Sequence, residues 1–128
     1  PVYEPNVETA VADFFIKRVQ ALRAEGVKDI ILDAGFGFSK SPADNYRLLA
    51  HCNDAFTDLG LPLLVGISRK RMIWRLLDSN PDEALNGTTV LNTVALLLGG
   101  ADILRVHDVR EAVEAVRLVA QVNPYLTH

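Results

Sequence analysis

The sequence lacks the features that mark disulfide-stabilised, membrane-spanning or nucleic-acid-binding proteins. Its 128 residues contain a single cysteine, Cys52, which excludes an internal disulfide framework and agrees with a cytoplasmic location. No apolar run is long enough to span a membrane. A net charge of -3 provides no general basic surface for nucleic acid. These absences leave a globular chain, 49% hydrophobic and 23% charged, within the size range of one domain.

The chain also lacks targeting and metal-binding signals. Its N-terminus has no basic region followed by an apolar core, so it does not resemble a signal peptide. The first residue is Pro1 rather than methionine, which indicates a processed or truncated chain. The histidines, His51, His107 and His128, are too scattered to form a metal motif, and we predict no metal ligand in this chain.

Short apolar runs typical of buried parallel strands alternate with segments of helical periodicity. The predicted strands cover residues 29–32, 62–67 and 103–106. The predicted helices cover residues 7–25, 42–59, 72–77, 87–98 and 109–122. Asn6 and Ser41 are expected to cap the first two helices, and Gly26 is expected to end the first. The predicted order is therefore α-βα-βα(α)-βα.

The apolar positions also predict which helix faces are buried. In the first helix the inward positions are Val7, Val11, Phe14, Val19 and Leu22. In the last helix they are Val113, Val116 and Ala120. The helix over residues 87–98 is almost entirely apolar and should be buried on several sides. The residues interpreted as packing groups are Cys52, Met72 and Trp74.

Two α/β architectures fit this order of elements. One is a small open sheet of three strands, and the other is the C-terminal piece of a (β/α)8 barrel. A complete barrel needs about 250 residues, roughly twice the length of this chain. The open sheet would expose two long apolar edges, which favour aggregation. No linker or shift in composition divides the chain, so residues 1–128 are expected to form one unit.

A cluster of polar residues follows each predicted strand. The clusters are DAGFGFSK (33–40), SRKR (68–71) and RVHD (105–108). Right-handed crossovers make neighbouring strands of a βα chain parallel, so the three clusters should emerge at the same end of the sheet. Ligands bind at this carboxyl end in α/β folds. The sequence therefore predicts a binding site built from a carboxylate, a serine and several cations.

Asp33 is the most informative residue of the first cluster. It directly follows an apolar strand, where a nearly buried carboxylate requires hydrogen-bond partners. It can accept two hydrogen bonds from an amidine-like or guanidine-like ligand edge. Two structural alternatives are a cap on the following loop and a salt bridge to Arg69. Gly35 and Gly37 would let this loop approach a ligand closely, although Gly-x-Gly alone is a weak signal.

The other two clusters point to an anion. Arg69, Lys70 and Arg71 lie in succession where a strand leads into a helix, which suits a phosphate. Arg105 and His107 are two residues apart on the third strand, so they share a face and also suit an anion. The next residue, an aspartate, is expected to cap the last helix.

Together these motifs resemble one enzyme family. DAGFGFSK (33–40), GISRK (66–70), NGTT (86–89) and ILRVHDV (103–109) are similar, in this order and spacing, to the C-terminal half of dihydropteroate synthase. The resemblance covers nearly the whole chain. It implies a (β/α)8 TIM barrel to which this chain contributes a helix and the last three βα units. It also implies a transferase of folate biosynthesis that joins 6-hydroxymethyl-7,8-dihydropterin diphosphate to p-aminobenzoate.

The resemblance assigns roles to matching residues. Asp33 would bind the aminopyrimidinone edge of the pterin, and Lys70 would contact the pterin carbonyl or a ring nitrogen. Arg105 would lie beside the pterin and the diphosphate, and His107 would bind the diphosphate. Phe38 and Lys70 would line the p-aminobenzoate pocket. The implied catalytic residues are therefore Lys70, Arg105 and His107.

The chain also departs from the family pattern. Ala34 and Ser39 replace the usual proline and glycine of the first loop. Arg71 replaces a serine that often helps to hold the p-aminobenzoate carboxylate, and its charge could bind this carboxylate instead. The family's first five strands are absent, together with an asparagine associated with Mg²⁺. The complete enzyme is thus expected to use Mg²⁺, through a ligand outside this chain.

Two other functional interpretations remain open at this point. A methyltetrahydrofolate-binding methyltransferase barrel is related chemistry, but two clusters suited to diphosphate argue against it. A non-catalytic half-barrel that acts through association is the alternative from a different class. The chain by itself is expected to be inactive and to self-associate or form a homodimer.

Overall fold

Helices and strands alternate along the chain in the predicted order. The structure is a computed structural model that describes residues 6–37 and 40–126. Its α-helices are α1 (Val7–Ala24), α2 (Pro42–Phe56), α3 (Arg71–Trp74), α4 (Leu85–Leu97) and α5 (Val109–Val122). Its strands are β1 (Leu32–Asp33), β2 (Leu63–Val65) and β3 (Ile103–Leu104). Short 3₁₀ turns occur at Thr57–Leu59, Pro81–Glu83 and Asn123–Tyr125.

The three strands form one parallel sheet in the order β1-β2-β3. Leu32 pairs with Leu63, and Leu64 pairs with Ile103. Leu63 is buried whereas Leu64 is partly exposed, so the helices cover one face of β2. Parallel pairing places the ends of all three strands at one edge, where the three polar clusters begin.

The strands are shorter than the apolar runs predicted. The N–H of Arg105 still donates to the Val65 carbonyl at 3.0 Å, so hydrogen bonding between the second and third strand segments continues beyond β3. Ile31 precedes β1 and is 54% exposed. An apolar run marks an extended chain, whereas a ladder of hydrogen bonds also requires a neighbour at the right distance. The predicted strand boundaries were therefore too wide.

The predicted helix boundaries follow from local hydrogen bonding. Asn6 caps α1 by accepting from the Thr9 N–H at 2.9 Å. Ser41 caps α2 by accepting from the Asp44 N–H at 3.1 Å. Gly26 follows α1 with a φ of +89°, a left-handed conformation that glycine adopts without strain. These caps are confirmed because they depend on residues within one turn of each other.

The buried face of α1 differs from the prediction at one aromatic residue. Phe15 is buried and its ring lies 4.9 Å from that of Phe56 in an edge-to-face arrangement. Phe14 is 58% exposed, so its assignment to the core was wrong. Steps of four residues from Val7 lead to Phe15 and Val19, and Phe14 lies about 100° away around the helix. The core is thus built on the i, i+4 stripe.

The buried face of α5 also differs from the prediction. Ala112 and Ala115 are buried, whereas Val113 and Val116 are 48% and 45% exposed, and Ala120 is exposed as well. α5 packs against α4, and small alanine side chains allow the two helices to approach closely. The larger valines therefore point outward, although their spacing alone predicted an inward face.

The apolar helix α4 is covered on one face rather than on several. Its buried residues are Thr88, Asn92 and Ala95, while Val90 and Leu98 are 52% and 65% exposed. The prediction of burial on several sides was wrong within the described residues, because the buried positions 88, 92 and 95 form a single stripe along the helix. No helix in the described ranges is both long enough and apolar enough to cross a bilayer.

Cys52 packs in the core, as predicted. It is fully buried within a cluster of apolar side chains that draws on α1, α2, the strands and α4. Burial raises the pKa of its thiol to about 11. The thiol is thus a packing group rather than a nucleophile. The expectation that residues 1–128 form a single unit stays a prediction.

The finding that Phe15 rather than Phe14 lies in the core can be tested by stability measurements. We expect Phe15→Ala to lower the free energy of unfolding by about 3–5 kcal/mol, because it leaves a cavity beside Phe56. The control Phe14→Ala should change it by less than about 0.5 kcal/mol, since that ring is exposed. Urea denaturation at one fixed protein concentration measures both. Equal losses for the two variants would contradict the burial pattern.

The open edges of the sheet predict association. Among the described residues β1 and β3 each pair with one neighbour only, and apolar side chains such as Ile31 and Ile103 are exposed beside them. We expect the 128-residue chain by itself to self-associate or aggregate, because unpaired strand edges bind other chains. Light scattering that shows a stable monomer would refute this expectation.

Candidate active site

The loop after β1 is held in place by a side chain from α2. The N–H of Gly37 donates to Asn45 Oδ1 at 2.8 Å, and Asn45 Nδ2 donates to the Ser41 carbonyl at 3.1 Å. Asn45 is buried, so these bonds are shielded from water. Lys40 closes the loop by donating to the Gly35 carbonyl at 2.8 Å. Asn45 was not identified from the sequence as a residue that holds this loop. Its polar side chain in the first turn of α2 was the signal that could have indicated this role.

Asp33 ends β1 and is committed to two partners. One carboxylate oxygen accepts from the Gly35 N–H at 3.0 Å, and the other accepts from Arg105 Nη1 at 2.9 Å. The loop-cap alternative is therefore confirmed, whereas the alternative of a salt bridge to Arg69 is wrong. The Asp33 side chain is 38% exposed, so the expectation of a nearly buried carboxylate was also wrong.

The partners of Asp33 determine its protonation. Partial burial by itself would raise the pKa of this carboxyl. The hydrogen bonds from Gly35 and Arg105 and the positive charges of Arg105 and Lys70 outweigh burial and hold the pKa below its ordinary value of 3.8. Asp33 is therefore an ionised acceptor at neutral pH.

Lys70 extends from the end of the second βα loop to the first. Its Nζ donates to the Phe36 carbonyl, and its aliphatic part passes over Gly37. A Cβ at Gly37 would lie 3.2 Å from Lys70 Cδ, so a larger residue would crowd this path. Burial lowers the pKa of Lys70, the positive charges of Arg105 and Lys40 lower it further, and Asp33 opposes them.

Arg105 follows β3 and lies directly over β2. A Cβ on Gly66 would lie 2.5 Å from Arg105 Nη2, so a larger residue at this position would displace the guanidinium from its present path. Arg105 thereby reaches across the middle strand to Asp33 on the far strand. The structure thus brings together Asp33, Lys70 and Arg105, as the parallel topology predicted.

His107 lies two residues beyond Arg105 and is exposed. Its backbone N–H donates to Ser68 Oγ at 3.1 Å, which joins the third loop to the second. Ser68 is buried at this junction. The contribution of the His107 imidazole to an anion site stays a prediction.

Arg69 does not face the mouth as a free cation. Its Nε and Nη2 donate to the two carboxylate oxygens of Asp108 at 2.9 and 3.0 Å. These bonds raise the pKa of Arg69 and lower the pKa of Asp108. Asp108 occupies the N-cap position of α5, but its side chain makes no capping hydrogen bond. The predicted cap was wrong because both carboxylate oxygens of Asp108 accept hydrogen bonds from Arg69 instead.

An open groove of about 360 Å³ adjoins these residues. Its lining residues are Phe36, Gly37, Arg69, Lys70, Arg71, Trp74 and Pro81. Trp74, interpreted from the sequence only as a packing residue, is partly exposed there. Arg71 begins α3 and is exposed. Phe38, predicted to line the p-aminobenzoate pocket, lies outside the described residues.

The arrangement defines a class of protein. Parallel βα units carry an ionic cluster at the carboxyl ends of their strands, which is where (β/α)8 barrels bind ligands. Residues 1–107 match the family described as pterin binding enzyme. The chain therefore belongs to the pterin binding enzyme family.

The relatives of the chain confirm the resemblance to dihydropteroate synthase. The dihydropteroate synthase of Escherichia coli (strain K12) is 43% identical over 121 residues, which are 93% of this chain and 42% of that protein. That of Haemophilus influenzae is also 43% identical, over 85% of this chain and 39% of that protein.

Solved structures agree with these sequence relationships. The crystal structure of the Yersinia pestis dihydropteroate synthase superposes with a TM-score of 0.89 and 39% identity, covering 95% of this chain and 50% of that one. A Xanthomonas albilineans dihydropteroate synthase structure with 4-aminobenzoic acid gives a TM-score of 0.89 and 37% identity, over 96% of this chain and 45% of that one.

These matches decide between the two architectures. The chain spans about half the length of the relatives it matches. Its fold is therefore the C-terminal portion of an α/β TIM barrel, and the alternative of a small independent open sheet was wrong.

The Asp33–Arg105 ion pair predicts a dependence of stability on pH. Because folding lowers the pKa of Asp33, its ionised form stabilises the fold above pH 3.8, and this contribution is lost as the pH falls through the lowered folded value. Asp33→Asn should therefore cost about 0.5 kcal/mol at neutral pH, a small value because solvent screens this exposed pair. The difference from wild type should shrink at a strongly acidic pH below the lowered folded value, where the Asp33 carboxyl is protonated in both states. Urea denaturation at both pH values measures it, and a constant difference would contradict the assignment.

Proposed function

We propose that the complete protein containing this chain is a dihydropteroate synthase. It would condense 6-hydroxymethyl-7,8-dihydropterin diphosphate with p-aminobenzoate to give dihydropteroate and diphosphate. The observation that carries the proposal is the convergence of Asp33, Lys70 and Arg105 at one mouth, in a chain 43% identical to the Escherichia coli synthase. Because the chain spans less than half of that protein, the whole activity is a proposal.

Asp33 would recognise the pterin. Its ionised carboxylate is positioned by the Gly35 N–H, so it needs little rearrangement to accept from the aminopyrimidinone edge. Lys70 lies beside it and would donate to the pterin carbonyl or a ring nitrogen. The charges of Lys70 and Arg105 keep the carboxylate ionised, which suits an acceptor for two N–H groups.

Arg105 and His107 would stabilise the leaving group. The reaction forms a bond from the arylamine nitrogen to the pterin methylene carbon and breaks the bond from that carbon to diphosphate. Negative charge then develops on the diphosphate, where the Arg105 guanidinium and the His107 imidazole can neutralise it. The arylamine is nucleophilic before it loses its proton, so the chemistry demands no strong base from the protein.

The groove beside Lys70 would hold p-aminobenzoate. Trp74 lines it and is partly exposed there, so its apolar surface suits an aromatic ring. Arg71 also lines it and would pair with the carboxylate, in place of the serine that the resemblance leads one to expect. A Xanthomonas albilineans relative was solved with 4-aminobenzoic acid, which supports p-aminobenzoate as the substrate.

The described residues contain no cluster of metal-ligating side chains. In the ranges 6–37 and 40–126, no group of three or more His, Cys, Asp or Glu side chains lies close enough to hold a metal ion. The Mg²⁺ that the resemblance implies for the complete enzyme would have its ligand outside this chain. A cytoplasmic location and a homodimer are likewise part of the proposal.

Pterin binding by Asp33 can be tested in the complete protein. Asp33→Asn should weaken binding of the pterin diphosphate by about 1.5–3 kcal/mol, because it replaces a charged acceptor by an amide that also donates. Titration calorimetry measures the change. Asp58→Asn, in the exposed 3₁₀ turn after α2, is a matched control that should bind normally.

Two outcomes would count against the proposal. Unchanged affinity in Asp33→Asn would mean that this carboxylate has only a structural role. If the complete wild-type protein forms no dihydropteroate from the two substrates, the proposed reaction is wrong. The 128-residue chain by itself should form no product, since it supplies only the last strands of the barrel.

A further inference from the structure

Two loops that carry proposed site residues are tied directly to each other. The loop after β2 ends at Lys70, and the loop after β3 contains His107. The His107 N–H donates to Ser68 Oγ at 3.1 Å, which gives one link between them. A second link is the ion pair between Arg69 and Asp108, the residues immediately next to Lys70 and His107 in the chain.

All three nitrogens of the Arg69 guanidinium have acceptors. Nε and Nη2 form a two-point contact with the Asp108 carboxylate. Nη1 donates to the Pro81 carbonyl at 2.7 Å and to the Asp82 carbonyl at 3.0 Å. The Arg69 and Asp108 side chains are 22% and 21% exposed, so the pair is largely shielded from water. An arginine held in this way joins three segments through four of its five N–H groups.

The backbone of Arg69 is also constrained. Its φ of +54° lies in the left-handed region, which non-glycine residues seldom adopt unless surrounding contacts enforce it. The Arg69 N–H donates to Thr88 Oγ1 at 3.0 Å, and Thr88 is buried in α4. The conformation of this one residue sets the direction in which the chain continues to Lys70.

We propose that Arg69 and Asp108 form a positioning pair, which fixes Lys70 and His107 relative to each other at the mouth of the barrel. Neither side chain of the pair needs to touch substrate. The sequence pattern had placed Arg69 with the anion-binding cations, but its hydrogen bonds assign it to holding the loops. The inference rests on the proposed function in that Lys70 and His107 serve the same reaction.

The test uses Asp108→Asn in the complete protein, a change that keeps the size of the side chain but removes its charge. The first readout is amide hydrogen exchange at Arg69 and His107, which should become faster because the two loops separate more often. The second is steady-state kinetics, in which kcat should fall roughly 10- to 100-fold while the pterin KM changes less.

Two further variants keep the test decisive. Arg69→Gly removes the guanidinium but tolerates the left-handed backbone, so it should fold and reproduce the loss in kcat. Asp108→Glu retains a carboxylate and should restore part of kcat. Arg69→Gly combined with Asp108→Asn should lose no more than the stronger single variant, as expected for two residues acting as one unit.

Another ion pair provides the control. Arg47 Nε lies 2.8 Å from Glu8 Oε1 and joins α2 to α1. Arg47→Gln should lower the melting temperature but leave kcat and the exchange of the Arg69 and His107 amides unchanged. This comparison separates positioning from a general loss of stability.

The possible outcomes distinguish failure of the positioning role from failure of the proposed reaction. Unchanged exchange at both amides, or a kcat that falls no further than in Arg47→Gln, would overturn the positioning role. If the wild-type protein forms no dihydropteroate, the proposed function fails by itself. Exchange then decides alone whether the pair holds the loops together.

Discussion

The parallel register of three short strands is the constraint on which the site depends. Leu32 pairs with Leu63 and Leu64 pairs with Ile103, so the chain leaves all three strands at one edge. Residues far apart in sequence can then meet without any local preference for one another. The glycine at position 66 completes this arrangement, because it lets the Arg105 side chain cross the middle strand.

Charge pairing at this edge separates two kinds of residue. Arg105 and Asp33 form an exposed pair at the mouth, where a polar ligand can compete for the same hydrogen bonds. Arg69 and Asp108 form a more shielded pair whose contacts are already satisfied. Four charged residues therefore divide into a pair that can receive substrate and a pair that holds the loops. Exposure and the number of satisfied contacts decide which is which.

Much of the fold could be predicted because it depends on short-range patterns. The caps at Asn6 and Ser41 and the glycine stop at Gly26 involve residues within one turn of a helix. Helix faces were less predictable. Phe14 and Phe15 are adjacent and equally apolar, so burial depends on where α2 lies. In α5 the small Ala112 permits close packing, which periodicity of larger side chains does not reveal.

The sequence by itself determined the order of elements, the parallel sheet and the gathering of Asp33, Lys70 and Arg105. The local apolar pattern and the right-handed crossover between parallel strands suffice for these features. Only the tertiary structure decided that Arg105 rather than Arg69 pairs with Asp33, and that Asn45 holds the first loop. Several cations near one carboxylate are equivalent in a sequence. Angstrom-scale distances between strands, set by packing across the whole sheet, make them different.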